Sequence, residues 1–214
     1  MAGVAGAGVG YPETDGDQQA RADREFARLA RHDPAAFTPL YDRYVTGIYQ
    51  YCYRRLGHRE AAEDATSLVF VKALAAIGGY GGESFRSWLF TIAHNVVVDC
   101  YRQRGNHLPH QSLDAASAIH DRGPTPEETA LHRDQQRGIR ALLDELPDDQ
   151  RAAVELRLAG LNGVEIASVL GRSHGAVKNL QYRAIQRLRA LLEASHRQQT
   201  DPTLQEAHDA RPLR

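Results

Sequence analysis

The chain has 214 residues, with 26 Lys plus Arg, 27 Asp plus Glu and a formal net charge of −1. Apolar residues make up 42% and no run of about 18 of them occurs, so a globular chain without a helical membrane span is expected. Two cysteines, Cys52 and Cys100, are too few for a disulfide framework and lack zinc-ligand spacing; both fall in apolar helical patterns and read as reduced core thiols.

Residues 1–20 are rich in Gly, Ala, Asp and Gln without periodicity, and they read as a disordered tail. The Gly/Ala-rich start has no positive segment of the kind that opens a secretory signal. Phe37, Leu40, Tyr41, Tyr44, Val45, Ile48, Tyr49, Cys52, Tyr53 and Leu56 recur at helical spacing and predict an amphipathic helix ending near Gly57. Arg59 to Ile77 predicts a second helix with Ala62, Ala65, Val69, Phe70, Ala73 and Ile77 inward. Four glycines around Tyr80 force a loop. A third helix carries Phe85, Trp88, Leu89, Ile92, Ala93, Val96, Val97 and Cys100 on one stripe.

Residues 105–124 have no periodicity and read as a linker. Thr125-Pro126-Glu127-Glu128 supplies a cap, a first-position proline and a capping-box glutamate. The helix it opens runs to about Glu145, and Leu146-Pro147 starts the next, which ends at Gly160. Asn162 with Glu165 opens a short helix through Leu170. Gly171 turns the chain, Ser173 caps again, and a long helix runs to about Ala194. The last three elements predict a helix-turn-helix. No strand-like alternation occurs. The expected architecture is all-α: a tail over 1–23, a helical domain over 24–104, the linker, a second helical domain over 125–195 and a tail over 196–214.

Charge follows these elements. Residues 85–105 sum to +2, 106–150 to −5 and 172–197 to +5. The last helix turns Val177, Leu180, Ala184, Ile185, Leu188, Leu191 and Leu192 inward by its periodicity. The other face holds Lys178, Asn179, Tyr182, Arg183, Gln186 and Arg187. Amide and guanidinium groups there suit base edges in a major groove, with the Ser173 end facing phosphates; a plain solvated face is the competing reading. On the third helix Asn95, Asp99 and Arg102 recur at i, i+4 and i+7, either as contacts to bases or phosphates or as a solvent face. Tyr80 and Phe85 either stack on an unpaired base or pack in the core. The ten histidines are scattered, so neither a catalytic nor a metal site is expected.

The run Ala62-Glu63-Asp64-Ala65-Thr66-Ser67-Leu68-Val69-Phe70-Val71-Lys72-Ala73, then Ser84-Phe85-Arg86-Ser87-Trp88-Leu89-Phe90-Thr91-Ile92-Ala93-His94-Asn95 with Asp99 and Arg102, resembles the core-binding and promoter-melting region of extracytoplasmic-function (ECF) sigma factors. Leu146-Pro147-Asp148-Asp149-Gln150-Arg151, then Glu165-Ile166-Ala167, Gly175-Ala176-Val177-Lys178 and Arg183-Ala184, is similar to that family's second domain. The resemblance implies that the first domain docks on the β′ clamp of core RNA polymerase through Glu63, Asp64, Ser67, Leu68 and Val71. It implies that Tyr80, Phe85, Arg86, Asn95, Asp99 and Arg102 meet the −10 element as it opens. The second domain would lie on the β flap and read the −35 duplex through Ser173, His174, Lys178, Asn179, Gln181, Tyr182, Arg183 and Arg187. No cofactor, catalytic site or membrane is implied; the partners are core polymerase, promoter DNA and, in many relatives, an anti-sigma factor. Leu68 stands where the family usually has an acid, and Asn179-Leu180-Gln181 replaces a common Ser-Arg-Leu. The alternative is a stand-alone helix-turn-helix regulator, which would normally dimerise on a palindrome.

Overall fold

A computed structural model describes residues 15–105 and 138–200. Within them the regular elements are all helical. They form two compact units, the division falling between Asp99 and Cys100. The linker beyond Gly105 and the start of the helix expected from Thr125 lie outside the described residues.

The first unit opens with α1, Asp15–Leu29. The expectation of a tail through residue 23 is therefore corrected. From Asp23 onward the helix has a buried edge of small and polar groups: Asp23 and Ala27, with Ala30 just past its end, are each 3% exposed or less. Asp23 accepts hydrogen bonds from Arg43 and from the Tyr44 hydroxyl, both on the next long helix. Burial, reinforced by the Asp23 carboxylate, pushes the Tyr44 hydroxyl well above its ordinary pKa, so it stays a donor.

A 3-10 turn, Pro34–Phe37, follows, capped by the Asp33 side chain accepting from the Ala35 amide at 3.0 Å. It leads into α2, Thr38–Leu56, which ends on Gly57 at φ 80°, a left-handed conformation that favours glycine. α3, Arg59–Ala76, packs along α2. After a second 3-10 turn, Ile77–Gly79, α4 spans Phe85–Gly105.

The six residues expected inward on α3 are all buried. On α2, Leu40, Ile48, Cys52 and Leu56 are buried as the periodicity requires, but so are Tyr51 and Arg55. The buried arc is wide because α2 is covered on two sides. Tyr41 meets Phe70 of α3 at 4.7 Å between ring centres, and Tyr51 meets Phe90 of α4 at 5.8 Å. The Tyr51 hydroxyl also bonds His94 Nδ1 at 3.0 Å.

The second unit holds the end of α4 and then α5, residues 138–144, α6, Asp148–Leu158, α7, Gly163–Leu170, and α8, His174–Thr200. α6, α7 and α8 pack on one another around Leu156, Leu161, Ile166, Val177 and Ala184, all fully buried. Leu143 and Leu146 close the core against Ala184, Val154 and Leu188. Full burial of each Leu or Ile contributes about 1.5–3 kcal/mol. Ile185 and Leu192, expected inward, are 47% and 43% exposed. They lie on the flank of α8, beyond the arc that α6 and α7 cover.

Candidate nucleic-acid interface

The helix-turn-helix is held by local hydrogen bonds. Asn162 Oδ1 accepts from the amides of Val164 and Glu165 at 2.9 and 3.0 Å, and Glu165 Oε2 accepts from the Asn162 amide at 2.9 Å. The expected capping box is thus complete. α7 stops at Gly171, φ 59°, and Ser173 Oγ accepts the Ala176 amide at 3.2 Å to start α8. Arg172 reaches back to Asp149 at 2.9 Å and ties the turn to α6.

This frame presents one face of α8. Lys178, Asn179, Tyr182, Arg183 and Arg187 are exposed, Tyr182 at 64%. His174 is exposed too, yet its ring lies over the start of α7: a Cβ at Gly163 would come within 2.7 Å of Nε2. Gly163 therefore makes room for that ring. Gln181 is corrected as a reader. It is half-buried with Nε2 sealed from solvent, because it lies on the Val177 flank of α8 and not on the Lys178 face. Arg189 is also exposed and lies eleven residues after Lys178, three helical turns along the same face.

The expected strand contacts divide. Asn95 and Arg102 are exposed on α4, and Asp99 is half-exposed, 3.9 Å from Lys72 of α3. Arg86 is half-buried. Tyr80 and Phe85 are corrected as base-stacking groups, being 3% and 2% exposed. Phe85 lies among Phe37, Tyr44, Tyr80 and Trp88 at 5.5–6.3 Å between ring centres. The Tyr80 hydroxyl donates to the Glu83 carbonyl, and burial raises its pKa. Both side chains are packed in the core.

On α3, Glu63, Asp64, Ser67, Leu68 and Val71 all face solvent. Glu63 is held by Arg59 at 2.7 Å. Leu68, Val71 and Leu74 are 43%, 65% and 39% exposed, an apolar ridge that leaves the core formed by the opposite side of the helix intact. The Lys72–Asp99 pair sets this ridge beside the exposed stripe of α4.

These surfaces have counterparts in known proteins. The profile of Sigma-70 region 2 matches residues 40–107, and that of Sigma-70 region 4 matches residues 136–188. ECF RNA polymerase sigma factor BldN of Streptomyces coelicolor is 36% identical over 187 residues, covering 85% of this chain and 69% of its own. The chain belongs to the ECF sigma factor family. SigW of Bacillus subtilis, another ECF sigma factor, is 29% identical and covers 79% of this chain and 95% of its own. Among solved structures, CnrH in complex with the cytosolic domain of CnrY is similar, with a TM-score of 0.64 and 27% identity over 81% of this chain and 98% of that one. This sigma factor joins RNA polymerase and directs promoter-specific initiation. A stand-alone regulator is not favoured, because both sigma regions are present in order.

Proposed function

We propose that the two units divide promoter recognition between them, with α8 reading the −35 duplex and α4 holding the opening −10 strand. The observation that carries this reading is the face of α8: Lys178, Asn179, Tyr182 and Arg183 stand exposed together, one turn beyond a Ser173-capped helix start. A guanidinium or amide contact to a base edge contributes about 1–3 kcal/mol of discrimination. Lys178→Ala and Arg183→Ala are each expected to lower use of the upstream element about 5- to 150-fold in transcription by the reconstituted holoenzyme. Unchanged promoter use in both variants would refute the face.

On α4, Asn95, Asp99 and Arg102 are the groups available to the strand, with Arg86 nearer the body. On α3 the contact to the polymerase clamp is apolar where the family's is acidic: Leu68 and Val71, flanked by Glu63, Asp64 and Ser67. Val71→Glu is expected to weaken capture of core polymerase at least tenfold, about 1.4 kcal/mol, since a charge would be desolvated against an apolar partner. Equal capture by the variant would remove α3 from the contact.

The sigma factor supplies specificity and takes no chemical step itself. It acts where the polymerase is, in the cytoplasm. The complex of CnrH with the cytosolic domain of CnrY supports a protein partner for this chain as well.

A further inference from the structure

α1 lies outside the residues matched by either sigma region. Arg21, Arg24 and Arg28, at i, i+3 and i+7, fall on one side of it, and Arg31 continues the row just past its end. With Tyr80 and Gly82 they line an open groove of about 420 Å³. Glu25 is the one acid on its wall, and it is paired with Arg28 at 2.6 Å.

The groove is fixed to the body of the unit. Arg31 donates to the Tyr80 carbonyl, and Asp23 anchors α1 to Arg43 and Tyr44 from its other side. Gly82 stands on the far wall, and a Cβ there would meet nothing within 4 Å.

Four guanidinium groups and one carboxylate line the groove, so its charge favours an anionic ligand. The row from Arg21 to Arg31 spans about 15 Å at 1.5 Å per residue. A single small anion covers only part of that length, whereas successive phosphates of a nucleic-acid strand cover all of it. The turn that forms the far wall runs straight into α4. We propose that the α1 arginine groove binds the sugar-phosphate backbone of single-stranded DNA, extending the track of the strand beyond α4. This rests on the reading of α4 as the strand-holding helix.

The test is fluorescence anisotropy of a labelled oligo-dT strand with the full chain, across a range of salt. Each phosphate contact on a single strand contributes about −0.7 to the slope of log affinity against log salt. The triple variant Arg21→Gln, Arg24→Gln, Arg28→Gln is expected to flatten that slope by about 2. The matching triple Lys variant should keep it, because charge and not fork geometry sets the slope. All three side chains are exposed, so an unchanged melting temperature is expected. An unaltered slope, no binding by the parent chain, or a loss confined to duplex DNA would each overturn the site. Core-polymerase capture by the same variants is measured alongside and should be unchanged. Failure of the parent chain to capture polymerase would sink the division of labour between α3, α4 and α8, a result distinct from failure of the groove.

Discussion

Phe85→Ala is expected to unfold the first unit under conditions where the parent chain is folded, at a cost of about 3–5 kcal/mol. Phe85 is 2% exposed and touches four other aromatic rings drawn from the first 3-10 turn, α2, the glycine loop and α4 itself. Truncation to Ala empties the point where those elements meet, and the loop that bends the chain into α4 loses its anchor. Thermal melting followed by circular dichroism reads the loss. Phe85→Leu separates the two roles once open to this side chain. It keeps most of the apolar volume, so it should leave both the fold and promoter opening largely in place. A Leu variant that melts normally but fails to open a promoter would restore Phe85 as a base-stacking group.

The second large effect is expected at Arg151→Leu, in the other unit. Arg151 is 8% exposed; its Nε bonds Glu155 at 2.8 Å, and a second nitrogen bonds Asp144. Burial works against the guanidinium charge, but the Glu155 hydrogen bond and the two carboxylates outweigh it and raise its pKa. Glu155 is fully buried. Removing Arg151 leaves that carboxylate in the core without its cationic partner, which costs about 3–5 kcal/mol. The double variant Arg151→Leu, Glu155→Leu removes both charges and should recover much of the loss. If the double variant were no more stable than the single one, the buried charge would not be the cause. The pair also bears on function, since α6 is the platform on which α7 and α8 pack.

Local features were legible in the sequence, and features set by distant packing were not. The Asn162–Glu165 capping box, the Gly171 turn and the Ser173 cap depend on residues within four positions of each other, and all three form as expected. The inward row of α3 was equally plain from its spacing. Tyr80 and Phe85 were ambiguous because an aromatic beside a glycine loop fits both a base platform and a core. Phe37 and Tyr44, more than 35 residues earlier, decide in favour of the core. Gln181 looked like a reader because it sits among readers in the sequence, but its angle on α8 turns it toward the Val177 flank. α1 was missed since Asp23, Ala27 and Ala30 make a weak apolar pattern; its buried edge depends on Arg43 and Tyr44. The recurrence of Arg21, Arg24 and Arg28 was the available signal.

The net charge of −1 conceals this arrangement. Positive charge is concentrated on α8, while negative charge collects over residues 106–150; residues 15–31 sum to zero, with the arginines of α1 along one side. A chain so balanced gains little general attraction to DNA, so its contacts gain strength by being held together on the polymerase.

The central claim is tested most directly by transcription of a randomised promoter library with purified core polymerase, with and without the full chain, reading start sites by sequencing. Chain-dependent starts that share a −10 and a −35 element are expected, with the −35 preference weakened by Arg183→Ala. Starts that do not depend on the chain, or palindromic duplex binding by the chain alone with no polymerase present, would contradict it.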